Sequence, residues 1–494
     1  MKLRYILMAI VATVLSASCD FLDLTDPNAM IVEIYYENED DIAQSVNGVY
    51  AALFDGSVLG TNTVYYEDCK AKLVIYPDVG VGGGENASFD NCTVKPNSSN
   101  VLSRWSNPYK CIHRANLVLE HLDGVKYSAE DAKAKYEAEV RFARAYCYYA
   151  LVTSFGPVPL VVNTFENLDQ VNAANVRVDK NLIYEQIFKD CEFVANSPLP
   201  EQQNGTNLGR ASKAAAYALW GKALLQMATD EDYASQKVEL CAQAKTALEA
   251  AWGMKTFTDF TALPIQDAFD LAKQTAAAEN IYQIPYLGES ASTNSLCSMY
   301  RPSTPDDLTT GETNGKKSAG SFFMPVATTL RIWDEAGDKR FDEMMAHGVH
   351  QGLETYYPLK YRDMSKTGYY SCDVIVLRYA DVALMLAEAA YHGGKPAEAL
   401  PWLNMVRNRA GLANTTATSG TALRDAIYKE RNRELAYEFK GWSDLKRQYT
   451  KAELRDYMQN VNAATEYSDA DYYLPVPHTQ HILNPEGLWQ NPGY

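Results

Sequence analysis

Residues 378–410 read RYADVALMLAEAAYHGGKPAEALPWLNMVRNRA. Two helical runs, 378–392 and 396–410, flank the pair Gly393-Gly394. Glycine lets the chain leave the first helix, and Pro396 falls in the first turn of the second, where a missing N–H costs nothing. Gly411 caps the end. This is a helix-turn-helix hairpin of the tetratricopeptide kind. A second such hairpin occupies 211–228 and 236–251, with its turn at Asp230–Asp232. Small residues (Ala214, Ala215, Ala218, Gly221) line its first helix and let a neighbouring backbone approach closely.

Working outward, further helices are predicted at 42–53, 108–121, 134–154, 182–195 and 423–439. The first follows an acidic start (Glu39-Asp40-Asp41), which the helix dipole favours. In 134–154 the positions Val140, Ala143, Cys147, Ala150, Leu151 and Ser154 recur at three and four residues. Gly156-Pro157 stops that helix before a short β-like run, 158–162.

Two stretches differ. Residues 55–104 hold Pro77, Gly80, Gly82-Gly83-Gly84 and Pro96 among many Asn and Ser, with Tyr65, Tyr66, Tyr76 and Phe89 scattered through them. Residues 253–375 carry Tyr282, Tyr286, Tyr300, Phe322, Phe323 and Trp333 among Ser, Thr, Gly and Pro. Long loop regions inside a compact domain are usually functional or mobile. The expected fold class is therefore mainly α: helical hairpins at about 40–54, 107–155, 180–252 and 377–440, interrupted by two loop-rich regions at 55–104 and 253–375.

Composition narrows the function. Apolar residues make up 47% of the 494 and charged residues 22%, which excludes a disordered or collagen-like chain. No apolar run after residue 18 approaches the ~18–20 residues of a membrane-spanning helix. The net charge of −17 repels phosphate backbones, so no nucleic-acid partner is expected. Tyrosine outnumbers phenylalanine, 34 to 15. Its flat face and polar tip suit a wet, sugar-facing surface; the alternative for any single ring is packing between helices.

Residues 1–18 read as a secretory signal: Lys2 and Arg4, an apolar stretch, then Ser16-Ala17-Ser18 before Cys19. Cys19 after small residues is the expected lipid-attachment site, and two or three acyl chains hold a protein firmly on a bilayer. One departure stands out: Leu15 lies four residues before Cys19, and Ser16 occupies the place where a lipobox has Leu. The alternative is a plain cleaved signal with a free Cys19. The other cysteines form no C-x-x-C pair and are too sparse for a disulfide scaffold. Cys111, Cys147, Cys191 and Cys241 sit in helical patterns and read as buried thiols; spacing alone assigns no bridge.

Ordered along the chain stand Cys19-Asp20-Phe21-Leu22-Asp23-Leu24, Asn47-Gly48-Val49-Tyr50, Glu139–Tyr146, Phe155-Gly156-Pro157-Val158-Pro159-Leu160 and Gly209-Arg210-Ala211-Ser212-Lys213. Leu377–Ala389, Asn404-Met405-Val406-Arg407, Glu430–Leu435, Trp442-Ser443-Asp444-Leu445, Tyr473–Pro477 and Asn491-Pro492-Gly493-Tyr494 follow. With these motifs the chain resembles the SusD/RagB family of surface nutrient-binding lipoproteins along nearly its whole length. The resemblance implies four tetratricopeptide-like units packed on a loop-rich ligand-binding half, with 19–494 forming one domain. It implies lipid anchoring at the outer-membrane surface and partnership with a SusC-like TonB-dependent transporter. It also implies capture of glycans, or in some members peptides, without catalysis.

Arg141, Arg378, Glu388, Arg431 and Glu434 lie in helical patterns beside apolar neighbours and are expected to pair between hairpins, since charges are rarely buried alone. A glycan site needs flat rings for CH faces and polar groups for hydroxyl rims. The candidates are Tyr65, Tyr66, Tyr76 and Trp105 from the first loop region and Tyr286, Tyr300, Arg301 and Trp333 from the second. Trp105 and Trp333 adjoin helical patterns, so core positions are the alternative for both. No catalytic residue and no cofactor are expected. The H-x-x-H pairs His347/His350 and His478/His481 lack a constrained third ligand for a metal. Gly82-Gly83-Gly84 lacks the Lys-Ser/Thr of a phosphate loop. The acids Asp306 and Asp307 leave a bound calcium as the one ion in view. Glycan binding leads; peptide binding on the same scaffold, a secreted glycan-degrading enzyme and a purely structural repeat adaptor are the alternatives.

Overall fold

The computed structural model describes residues 36–76, 84–302, 304–305, 322, 324–350, 352–363, 365 and 368–494. The signal stretch, Cys19, Gly82-Gly83, Asp306 and Asp307 lie outside the described residues.

Among the described residues, ten helices have eight residues or more: α1 (Glu39–Leu53), α2 (Ser99–His121), α3 (Ala132–Phe155), α4 (Lys180–Ala195), α5 (Lys213–Ala228), α6 (Lys237–Gly253), α7 (Tyr379–His392), α8 (Pro396–Arg409), α9 (Gly420–Leu435) and α10 (Gly441–Gln448). From α2 to α8 each helix packs on the next, α1 lies against α2 and α3, and α9 returns onto α7. The result is a mainly α stack of hairpins. In the α5–α6 hairpin the small-residue stripe does what its spacing implies. A Cβ placed on Gly221 would fall 2.4 Å from Leu248 Cγ of α6, so only glycine permits that approach.

Three boundaries differ from the sequence expectation. Helix α2 starts at Ser99, because the Ser98 hydroxyl accepts the Val101 N–H (3.3 Å), and Pro108 therefore sits inside the helix. Interior proline costs about 3 kcal/mol. Burial of Val101 and Trp105 on the same face offsets it, at about 1.5–3 kcal/mol for a large apolar side chain. The run 158–162 shrinks to β1 (Val158–Pro159), paired with β2 (Arg177–Val178). Helix α9 stops at Leu435, and Tyr437 (φ 66°) and Phe439 (φ 59°) take left-handed conformations before α10.

The second loop region contains sheet structure that its sequence did not announce. Strand β3 (Asn280–Ile284) pairs antiparallel with β8 (Val374–Arg378). Strands β4 (Thr304–Pro305), β6 (Met345–His350), β7 (Leu353–Pro358) and β5 (Met324–Pro325) form a sheet in that order. Strand β8 runs straight into α7 and so ties this region to the scaffold. Arg378 is thus the last residue of a strand, not a helical residue.

Beneath that junction lies a buried charge network. Arg378 donates to Glu279 (2.7 Å), Glu434 (2.6 Å) and, with two parallel bonds of 2.8 Å, Glu438. Arg431 bonds Asp444 (2.9 and 3.0 Å) and Asp381 (2.9 Å) and pairs with Glu388 (2.9 Å). Arg141 links α3 to α4 through Asp190 (3.0 Å). Every motif charge expected to pair between elements does so. Burial alone would raise the Glu438 carboxyl; Arg378, Lys360 and Lys440 more than offset that and hold it at about 2.

Candidate functional site

The first loop region docks through one wide helical turn, Tyr65–Cys69. Its Glu67 carboxylate accepts the Ser443 N–H (2.8 Å) and hydroxyl (2.7 Å) at the start of α10. Asp68 accepts the N–H groups of Phe439 and Gly441, both at 3.3 Å. Burial and the neighbouring Glu67 push the Asp68 carboxyl up to about 7. These bonds hold the left-handed Tyr437–Phe439 segment against the turn.

Docked this way, the two loop regions meet ring against ring. Tyr65 lies 5.9 Å from Phe89 and 6.3 Å from Tyr76 in its own region, and 5.7 Å from Phe322 of the other. Phe322 also meets Tyr76 edge-on (5.8 Å) and Tyr300 (5.5 Å), and Tyr300 stacks on Tyr361 (5.5 Å). A hydroxyl contact, Ser295 to Thr61 (3.2 Å), closes the same seam.

This seam corrects the list of candidate platforms. Tyr65, Tyr66, Trp105, Tyr300 and Trp333 are all buried and offer no free face to a ligand. Tyr66 lies under the Arg104 guanidinium (4.8 Å), and its hydroxyl donates to the Asn100 carbonyl (2.9 Å). Trp105 packs edge-on to Phe155 (5.0 Å) inside the hairpin stack. Trp333 lies between Phe341 and Tyr437, 6.2 Å from each. Each ring removes so much apolar area from water that a core position outweighs exposure wherever neighbours can surround it.

Tyr76, Tyr286 and Arg301 keep partial exposure. Tyr76 sits on the outer edge of the seam. Tyr286 is held by its N–H on Asp373 (3.0 Å), and burial, with the Asp373 charge, pushes its hydroxyl up to about 12. It therefore stays neutral and can both donate and accept. Arg301 follows the short helix Leu296–Met299, and its charge acts on the half-buried Tyr370. The Tyr370 N–H donates to Thr293 (2.8 Å), and adjacent Tyr369 is 41% exposed. Sequence reading missed Tyr369 and Tyr370; the signal available was a pair of rings directly after Gly368 (φ 80°). Partly open rings beside a guanidinium can stack on the CH face of a sugar and bond its hydroxyls.

Elsewhere, a cleft of about 510 Å³ opens on the hairpin side, lined by groups such as Asn116 and Gln186, and one of about 490 Å³ opens where the hairpins meet the second loop region, lined by groups such as Gln202 and Gln274. Among the described residues no cluster of three His, Cys, Asp or Glu could hold a metal ion. His347 pairs with Glu354 (2.5 Å) and stacks edge-on to Tyr356, while His481 contacts the Leu488 carbonyl (2.8 Å).

Two family models match the sequence: the SusD family over residues 347–494, and the family described as starch-binding associating with outer membrane over residues 20–225. The chain belongs to the SusD/RagB family. Its relatives include a SusD-like protein, P2, of Formosa agariphila, 25% identical and covering 99% of this chain and 100% of its own. A solved laminarin-binding SusD-like protein superposes with a TM-score of 0.75 at 25% identity, over 93% of this chain and 100% of that one. Surface glycan-binding protein A from Bacteroides thetaiotaomicron, solved with laminarihexaose, gives 0.72 at 19% identity, over 92% of this chain and 99% of that one. The SusD/RagB fold thus accounts for hairpin stack and loop half together.

Proposed function

We propose that this SusD/RagB protein is a non-catalytic, lipid-anchored glycan-binding protein of the outer-membrane surface that passes its ligand to a SusC-like TonB-dependent transporter. One observation carries the reading. The two loop regions converge on a single aromatic seam whose rim keeps Tyr76 partly open, with Tyr286, Arg301, Tyr369 and Tyr370 on the second region. Rings and hydrogen-bonding groups of this kind suit a neutral polyhydroxylated ligand, and the chain's acidity favours such a ligand over an anionic polymer. A laminarin-binding relative that aligns over 93% of this chain supports the same class.

Cys19 carries the anchor in this reading, and no metal or cofactor is required. The test is a glycan array probed with the form lacking Cys19, beside calorimetry with a peptide panel. Glycan binding supports the reading, peptide binding alone replaces the ligand class, and release of reducing ends from a polysaccharide contradicts the absence of catalysis. Co-purification with a TonB-dependent transporter from native membranes tests the partnership.

A further inference from the structure

Cys297 and Cys372 belong to two segments of the second loop region that Asn294 fastens together. The Asn294 N–H donates to the Tyr370 carbonyl (3.1 Å), its side-chain amide donates to the Cys372 carbonyl (2.7 Å), and its own carbonyl accepts the Cys297 N–H (3.3 Å). Inside this fastening both thiols are buried, and the Cys372 sulfur is near enough to act on the Cys297 thiol. The Cys372 thiol also reaches the carbonyls of Lys360 (3.5 Å) and Asp373 (3.8 Å).

We propose that Cys297 and Cys372 are the two halves of a disulfide that locks the Leu296–Met299 helix, and with it Tyr300 and Arg301, to the start of β8. The chemistry needs an oxidant of the disulfide class. A thiolate from one cysteine attacks a sulfur of that oxidant, forming a mixed disulfide and expelling one thiolate. The second cysteine then displaces the remaining thiolate. The protein gives up two protons and two electrons, and the oxidant leaves as two thiols. Burial pushes the Cys297 thiol well up, so thiolate is scarce in the folded chain and the bond forms during folding, before the seam closes. The proposal is independent of the ligand.

The full chain is unfolded in guanidinium chloride and refolded in mixed reduced and oxidised glutathione. It is then alkylated, digested without reductant and mapped by mass spectrometry. The expected result is a crosslinked Cys297–Cys372 peptide pair that dithiothreitol removes, together with a Tm that falls on reduction. Cys297→Ser/Cys372→Ser should match the reduced wild type in Tm and lose all response to reductant. Both cysteines recovered alkylated, or either one linked to a different cysteine, overturns the proposal.

Discussion

Arg378 grips Glu438 through two parallel hydrogen bonds of 2.8 Å, and neither side chain is exposed to solvent. Glu279 and Glu434 complete the arginine's surroundings, so one guanidinium joins β8, α9 and the approach to α10. Removing it strands carboxylates in the interior, at a cost of about 3–5 kcal/mol. Arg378→Met is therefore expected to lower Tm sharply or to abolish soluble expression, read by circular dichroism. A folded variant of unchanged Tm that has lost only ligand binding would contradict the scaffold role.

Acid should unfold the protein through the same network. Net pairing with Arg378 and its neighbours depresses the Glu438 carboxyl to about 2 and holds Glu434 well below its ordinary value. A depressed carboxylate contributes stability that is fully present above its unfolded value, near 4.5, and is lost as pH falls through its folded value. Tm measured downward from pH 4.5 should fall steeply toward pH 2. A flat profile across that window would contradict the network's contribution.

Asp68 works in the opposite sense. Its folded pKa of about 7 lies above the ordinary 3.8, so between those values the folded state binds the extra proton. Stability from this group therefore falls as pH rises from about 4 to 7. Asp68→Asn mimics the protonated form. Its Tm, relative to wild type, should be higher at pH 8 than at pH 5, and an unchanged difference between the two would contradict the assignment.

Gly221→Val tests the hairpin packing. The added carbons meet Leu248, and overpacking of this kind costs about 1–3 kcal/mol. Urea unfolding should show a lower midpoint, whereas Gly253→Val, with open space at its Cβ, should show a much smaller change.

The hairpins were legible because Gly393-Gly394, Pro396 and the small residues beside Gly221 act locally, through φ and close approach. Motif arginines were legible as scaffold for a related reason: a charge among apolar neighbours needs a partner, whichever one the fold supplies. The rings were not legible. Whether Tyr65 stays open depends on Phe89, Tyr76 and Phe322, which the sequence places far apart. Trp105 had a local signal, since Val101 precedes it by one helical turn, but reading Pro108 as a helix start hid it. Strands β6 (MAHGVH) and β7 (LETYYP) escaped notice because their apolar and polar residues do not alternate regularly, as their burial also shows.

In the proposed reading, an open rim on the loop half holds glycan without altering it. Isothermal titration of laminarihexaose and other neutral hexasaccharides into wild type, Tyr76→Ala and Arg301→Ala tests it most directly, with Tm recorded for each protein. Saturable binding of at least one glycan by wild type is expected, weakened about tenfold, or about 1.4 kcal/mol, by either substitution while each variant stays folded at the titration temperature. Absence of binding across the panel, or full affinity in both variants, would contradict it.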